Sequence, residues 1–269
     1  LSLVGSEMCI RDRDYNNAIT SAESITNPTT GSNANQAQVE TALSAINTAK
    51  QALNGTQKVN EAKNNASQEL NGLDNLNNAQ RENVAQKINQ AQTVAEVEKI
   101  KQDAQDLNTA MTKLKESLAD KDNTLDSQNY LDADNNKKTD YTNAVTNAEN
   151  ILNPTQGTNL TKEQVEAATN QVNSAKNDLN GTQNLNNAKQ QATTNIDGLT
   201  NVTDAQKEAL KQLVGNSSNV AEVQANLQKA QDVDQAMNHL KQSIADNTAT
   251  KNDQNYLDAS PNKQEAYNN

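Results

Sequence analysis

The sequence predicts an all-α fold, built as tandem three-helix bundles that share long helices and form an elongated rod. Three observations predict it. Apolar residues recur at helical spacing, capping residues bracket the apolar stretches, and the whole pattern repeats after 126 residues. The alternating β-branched runs that indicate strands are missing from the sequence.

The clearest helix is predicted over Val94–Asp120, which contains no Gly or Pro. Thr93 and Glu96 form a capping box at its start. At about 1.5 Å per residue it is roughly 40 Å long, more than a small bundle needs. We therefore expect its first half to complete one bundle and its second half to begin the next. Its apolar seam runs at steps of three and four through Val97, Ile100, Ala104, Leu107, Met111, Leu114 and Leu118.

The same pattern returns one period later, where Val220–Asp246 aligns with Val94–Asp120. Two full copies, 15–140 and 141–266, align without insertion, and Tyr267 opens a third. A long fixed period is typical of a repeat array. We expect the chain to be an excerpt of a longer one.

The next helix begins after Asp134, at the cap position that Ser260 fills before Pro261 one repeat later. It ends at Asn153-Pro154, because a residue before proline avoids the helical region. Thr161 caps the next helix, for which Asn180-Gly181 is a plausible end. The predicted core residues are Tyr141, Ala144, Val145, Ala148, Ile151 and Leu152 in the first helix and Val165, Ala168, Val172, Ala175 and Leu179 in the second.

Three further helices complete the copy. The first runs from about Asn184 to Gly198, and the second is opened by a capping box of Thr203 and Gln206. After a turn at 215–218, Asn219 caps the second long helix. The apolar residues of the first two are Leu185, Ala188, Ala192, Ile196 and Leu199, then Leu210, Leu213 and Val214.

Composition excludes one large core, because hydrophobic residues make up only 33% of the chain and Phe and Trp are absent. Several slim bundles closed by Ala, Val, Leu and Ile remain possible. Such polarity also suits a disordered chain, but the regular spacing and the caps favour order.

The net charge is −11, with −5 in each copy, and the charges are scattered. An acidic surface disfavours nucleic acids and anionic lipids, and no apolar run approaches the ~20 residues that span a bilayer.

Residues 1–13 match neither copy and hold the single cysteine, Cys9. Their basic residues follow a short apolar run, the reverse of a signal peptide. We interpret this stretch as a non-native or artefactual leader outside the fold. The repeat itself then contains no cysteine, which excludes disulfides and thiolate metal sites.

No constellation of catalytic or metal-ligating residues is recognisable. His239 is the single histidine and is interpreted as an exposed helix residue. The numerous carboxylates, such as Glu96 and Asp103, are interpreted as solvated helix faces, because slim Ala-rich bundles have no room for a desolvating cleft. Met111 and Met237 lie on the apolar seam as core residues. We expect no enzyme activity, no catalytic residues, no cofactor and no metal, and the ligand-binding residues stay unknown.

Two resemblances go beyond these patterns. The stretch Leu185–Ala245, with LNNAKQQATTNIDGL and DAQKEALKQLV, resembles the GA module of Gram-positive surface proteins, a three-helix bundle. The stretch Met111–Leu179, with YTNAVTNAENILNP, resembles the FIVAR module. Their alternation at this period resembles the giant matrix-binding surface proteins of staphylococci. The implied domains are a leader at 1–13, an incomplete FIVAR-like module at 14–57, GA-like bundles at 58–110 and 184–236, a FIVAR-like bundle at 111–183, and the start of a further FIVAR-like module at 237–269.

The resemblance implies a cell-wall-associated protein on the bacterial surface that engages a host matrix protein such as fibronectin. Some GA modules bind serum albumin, so an albumin-binding array is an alternative. A purely structural spacer is another, because an exact period and shared helices also suit a stalk. A stalk binds nothing as a monomer, whereas an adhesin binds weakly per copy and gains by multivalency. We expect a monomer without nucleic-acid partners.

Overall fold

The computed structural model describes residues 3–269, and every regular element in that range is an α-helix. In chain order the helices are α1 Leu3–Thr26, α2 Gln36–Ala52, α3 Gly55–Asn71, α4 Asn78–Gln90, α5 Val94–Ser117, α6 Lys121–Leu125, α7 Gln128–Leu131, α8 Asn135–Leu152, α9 Lys162–Asn177, α10 Gly181–Asp197, α11 Asp204–Gly215, α12 Val220–Ile244, α13 Asn247–Asn252, α14 Gln254–Leu257 and α15 Pro261–Asn268. The all-α prediction is confirmed. The first helix includes residues 3–13, which the sequence set apart as a leader.

Two compact units divide the chain, with one boundary inside α5 between Met111 and Thr112. Unit 1 comprises residues 1–111 together with the loop 153–162, and unit 2 comprises 112–152 and 163–269. The helix α5 is continuous from Val94 to Ser117, as its unbroken seam predicts, and a turn replaces its last three predicted residues. It therefore supplies residues to both units.

Unit 1 contains a three-helix bundle of α3, α4 and the first part of α5. Helical spacing puts small and aliphatic residues on the inner face of each helix. Thr93 Oγ1 accepts a hydrogen bond from the Glu96 amide at 3.1 Å, which confirms the predicted capping box of α5. The buried residues are Ala62, Ala66, Leu70, Leu76, Val84, Ile88, Ala91, Val97, Ala104, Leu107, Ala110 and Met111. The hairpin of α1 and α2 also belongs to this unit.

Unit 2 contains two further bundles. The GA-like one is formed by α10, α11 and the first part of α12, and its predicted caps at Thr203 and Asn219 are both present. Its buried core is Leu185, Ala192, Ile196, Val202, Leu210, Val214, Val223 and Ala230. In the FIVAR-like bundle the buried residues of α8 and α9 are Tyr141, Val145, Ala148, Ile151, Val165, Ala168 and Val172, joined by Leu114 of α5 and by Leu179. Leu213, grouped with the apolar residues of α11, is 47% exposed.

The prediction that a helix ends at Asn180-Gly181 is wrong. The helix α9 ends at Asn177, and Asn180 is instead the N-cap residue of α10, which begins at Gly181 rather than near Asn184. The reason is steric. A Cβ atom on Gly181 would lie 2.3 Å from the Asn129 carbonyl oxygen, so the glycine permits a close approach of two backbones rather than a left-handed turn.

Candidate functional site

The titratable residues that the sequence analysis interpreted as solvated are exposed. His239 is exposed on α12, and Glu96 and Asp103 are exposed on α5. Among the side chains that the structure describes, residues 10–269, no three from His, Cys, Asp or Glu come together as a metal site requires. Met111 is fully buried in the core. No helix in the described range combines the length and hydropathy needed to cross a bilayer.

The tyrosines contribute to the bundle core. Tyr141 is fully buried on α8, and its ring meets that of Tyr130 edge to face, with centroids 6.1 Å apart. The hydroxyl oxygen of Tyr141 is buried and has no hydrogen-bond partner among the described residues. Tyr256 and Tyr267, one repeat later, form a similar pair at 5.6 Å. The Tyr141 ring is therefore part of the bundle core.

A groove lies along the outer side of the α8–α9 hairpin. It has a volume of about 450 Å³ and an apolar floor of Ala144 and Ala175. Asp140, Asn143 and Ser174 stand on its walls. Because the floor carries only methyl groups, the two helix backbones leave room for a ligand to lie between polar walls.

An equivalent groove lies on the α1–α2 hairpin, with a volume of about 720 Å³. Its lining has the same kind of residue at five pairs of positions 126 residues apart, whereas Ala45 and Ala52 stand where the second groove has Gln171 and Asp178. The matching pairs are Asp14 and Asp140, Asn17 and Asn143, Ala18 and Ala144, Thr48 and Ser174, and Ala49 and Ala175. The two hairpins thus share part of their groove lining.

The sequence did not single out these wall residues. Local reasoning assigns an exposed Asn or Asp on a helix to solvent, and the groove exists only when two helices pack. Retention across the repeat does not single them out either, because exposed residues outside the groove, such as Asn47 and Asn173, are retained in the same way.

A second polar feature joins α7 to the start of α10 within unit 2. The Gln128 Nε2 atom donates to the Gly181 carbonyl at 2.9 Å, and the Thr182 amide donates to Asn129 Oδ1 at 2.9 Å. The Asp134 carboxylate accepts from Asn180 Nδ2 at 2.9 Å and from Asn184 Nδ2 at 3.0 Å. These amide donors, Asn180 first, hold the pKa of Asp134 below its usual value. Asp134 therefore immediately precedes α8, as predicted. Its side chain accepts hydrogen bonds from Asn180 and Asn184 at the start of α10.

A third feature lies within unit 1, where the loop 153–162 packs on the start of α4. The Asn78 amide donates to the Pro154 carbonyl at 2.8 Å, and Asn77 Nδ2 donates to the Thr158 carbonyl at 2.9 Å. Gln80, fully buried, donates through Nε2 to the Leu160 carbonyl at 3.3 Å. A buried side-chain amide without a hydrogen-bond partner costs free energy. These hydrogen bonds therefore favour this packing of the loop on α4 over others.

Together these features define a class of protein: a helical repeat array with polar grooves along its hairpins and polar joints between its helices. The FIVAR domain model matches residues 10–54, 110–180 and 236–269, and the GA module model matches residues 56–110 and 182–236. The chain belongs to the family of proteins built from FIVAR and GA modules. Neither module is an enzyme family, and curated relatives of the chain are named extracellular matrix-binding proteins.

Among curated proteins, the chain is 65% identical over 255 residues to the extracellular matrix-binding protein EbhA of Staphylococcus aureus strain Mu3. It is equally identical to the extracellular matrix-binding protein ebh of strain MW2. These matches cover 95% of the chain but only 4% and 3% of the relatives' length. A crystal structure of an EbhA domain from Staphylococcus aureus superposes with a TM-score of 0.77 at 44% identity, covering 82% of this chain and 89% of that one.

Proposed function

We propose that the chain is part of a cell-wall-associated bacterial surface protein that adheres to a host matrix protein of the fibronectin type. The relatives' name, extracellular matrix-binding protein, supports the class of ligand. The observation that carries the proposal is the groove that recurs on α1–α2 and α8–α9 with five matching lining positions. A site present once per repeat suits multivalent adhesion, in which weak contacts add up through a shared tether.

The test fills both grooves without disturbing the core. Thr48 and Ser174 are exposed wall residues, so Thr48→Arg with Ser174→Arg places two bulky side chains in the grooves. The matched control is Asn47→Arg with Asn173→Arg, which makes the same charge change on exposed neighbours outside the groove walls.

Binding of the whole chain to immobilised fibronectin is measured by surface plasmon resonance. The parent and the control variant bind, and the groove-filled variant loses binding. Equal binding of all three would place the ligand elsewhere on the surface. Failure of the parent to bind fibronectin or other matrix proteins would favour the spacer alternative.

The albumin alternative has one observation in its favour. Leu213, 47% exposed on α11 of the second GA module, presents an apolar side chain where the first GA module has Lys87. Exposed aliphatic residues of this kind serve as contacts for partner proteins when they lie in a patch. Immobilised albumin provides the parallel measurement, and Leu213→Lys is the variant that must abolish any binding seen.

A further inference from the structure

The chain contains the sequence Asn-Gly at three places, beginning at Asn54, Asn71 and Asn180. Asparagine is thermolabile, because the backbone nitrogen of the next residue can attack its side-chain amide. Glycine has no side chain to obstruct that attack. An Asn-Gly pair is therefore a sequence at which an asparagine readily loses ammonia, unless the fold prevents the two groups from meeting.

The side chain of Asn180 is held by the joint between α7, α8 and α10. Asn180 is the N-cap residue of α10, but its side chain does not cap that helix. Its Oδ1 atom accepts a hydrogen bond from the Asp134 amide at 3.0 Å, and its Nδ2 atom donates to Asp134 Oδ2 at 2.9 Å. The amide donors lower the pKa of Asp134, so this carboxylate is charged at neutral pH. Both polar atoms of the Asn180 side chain thus serve the joint.

We propose that Asn180-Gly181 is a deamidation site, and that the hydrogen bonds to Asp134 protect it while the joint is closed. In the reaction the Gly181 nitrogen loses its proton and attacks the Asn180 Cγ atom. The bond from Cγ to Nδ2 breaks, and the side-chain nitrogen leaves with that proton as ammonia. Water then opens the cyclic imide at either of its two carbonyl carbons, which gives aspartate or isoaspartate. The proposal is independent of the adhesive ligand.

The closed joint opposes this reaction in two ways. Asp134 holds the side-chain amide through both of its polar atoms, so Cγ cannot turn freely toward the Gly181 nitrogen. Gly181 is buried, and a Cβ atom there would lie 2.3 Å from the Asn129 carbonyl oxygen, so its backbone has little room to rotate. The reaction therefore requires the joint to open, and its rate measures how often the joint does so.

The products cannot restore the joint. An ionised carboxylate has no hydrogen to donate, so it cannot replace the hydrogen bond from Asn180 Nδ2 to Asp134. Two carboxylates at hydrogen-bond distance repel each other. Isoaspartate also adds a backbone methylene beside Gly181, where the close approach of Asn129 leaves no space for it. Because the released ammonia diffuses away, a joint that has opened and reacted stays loosened.

The first experiment ages the whole chain at neutral pH and quantifies deamidation at each asparagine by peptide mapping with mass spectrometry. Asp134→Ala removes the acceptor, and we expect it to speed the reaction at Asn180 about tenfold, as the loss of one hydrogen bond to a charged group implies. Asp140→Ala is the control, because it removes an exposed carboxylate of α8 outside the joint. Equal rates at Asn180 in the parent and in Asp134→Ala would overturn the proposal. So would an equal acceleration at Asn71, which would indicate general unfolding.

The second experiment tests the consequence by exchanging the two side chains. Asn180→Asp introduces the product carboxylate. We expect it to speed hydrogen exchange of the Thr182 amide, which donates to Asn129 Oδ1 in the closed joint. Adding Asp134→Asn places one amide opposite one carboxylate again, so the double variant should exchange at the parent rate.

Asn71→Asp is the matched control, because it makes the same charge change at another Asn-Gly pair. Aspartate already occupies the equivalent position in the second GA module, as Asp197. This variant should leave exchange of the Thr182 amide unchanged. If Asn180→Asp exchanged at the parent rate, the product would not loosen the joint and the proposal would be wrong. If the double variant exchanged as fast as Asn180→Asp alone, repulsion between the two carboxylates would be excluded as the cause.

Discussion

Tyr141 combines complete burial with a hydroxyl that has no partner among the described residues. Its ring packs against Tyr130, so the ring stabilises the bundle while the hydroxyl is desolvated without a compensating hydrogen bond. The equivalent Tyr267 is 45% exposed and carries no such cost. The same residue type thus has different energetics at two positions one repeat apart.

We expect Tyr141→Phe to stabilise the bundle by about 1 kcal/mol, because an unpaired buried polar group costs roughly 1–3 kcal/mol and the ring contact is kept. The measurement is the hydrogen-exchange rate of the α8 amides, which should be lower in Tyr141→Phe than in the parent. Tyr267→Phe is the control and should leave exchange unchanged. Faster exchange in α8 after Tyr141→Phe would mean that the hydroxyl is stabilised by a partner.

Gly181 is required by the close approach of α7 rather than by its own backbone angles. Replacement by alanine would set a Cβ atom 2.3 Å from the Asn129 carbonyl oxygen. Because this oxygen belongs to the backbone, relieving the clash requires the α7 backbone to shift. The equivalent Gly55 has nothing within 4 Å of that position. We expect Gly181→Ala to weaken the α7–α10 joint by roughly 1–3 kcal/mol, a typical cost of overpacking.

Gly55→Ala is the matched control, and it should be neutral or stabilising by up to about 1 kcal/mol through higher helix propensity. Thermal unfolding followed by circular dichroism compares the two variants, and hydrogen exchange at α7 and α10 localises the change. Equal effects of the two substitutions would contradict the steric account of Gly181.

Among the elements, we expect the joint between α7, α8 and α10 to respond to pH. Amide donors, first Asn180 and then Asn184, lower the pKa of Asp134 from its ordinary value of 3.8. A lowered carboxylate pKa adds stability that is fully present above the unfolded value and is lost as pH falls through the folded value. We therefore expect this joint to be intact at neutral pH and to loosen as the pH falls below 3.8.

A titration of the Asp134 side chain by nuclear magnetic resonance measures this directly. Its midpoint should lie below 3.8 in the parent and should rise in Asn180→Ala. Glu265→Gln, a change of one distant carboxylate, serves as control and should leave the midpoint unchanged. A midpoint at or above 3.8 in the parent would mean that the two amides do not stabilise the charged form.

The helices themselves could be predicted because their signals are local. The cap at Thr203 and the seam of α5 each lie within a few residues of what they determine. The joints could not be predicted. Gln80 and its carbonyl partner on Leu160 are 80 residues apart, and capping residues normally face solvent. At Asn180-Gly181 the local pattern suits a helix end equally well, and only the approach of Asn129 decides otherwise.

At the scale of the whole molecule, stability depends on how far each bundle relies on its neighbours. Repeat proteins gain stability from single units and from the interfaces between successive ones. The cores here are small and rich in alanine, so each bundle alone should be marginal. The candidate for coupling is α5, which runs unbroken from Val94 to Ser117 and contributes residues to both units.

Proline at Leu114 tests that coupling. Leu114 is fully buried, and proline there removes the hydrogen bond to the Ala110 carbonyl and clashes with the preceding turn, at a cost of about 3 kcal/mol or more. Because Ala110 and Met111 belong to the core of unit 1, we expect Leu114→Pro to speed hydrogen exchange both in the bundle at 58–110 and in the bundle of α8 and α9.

Val172→Pro is the matched control, because Val172 is equally buried but lies on α9, within one bundle. It should speed exchange around α8 and α9 and leave residues 58–110 protected. Hydrogen exchange on both variants, compared bundle by bundle, separates the alternatives. If Leu114→Pro left residues 58–110 as protected as in the parent, the stability of each bundle would be independent of its neighbour. Adhesion would then depend on loosely tethered modules, because α5 would transmit no stability from one bundle to the next.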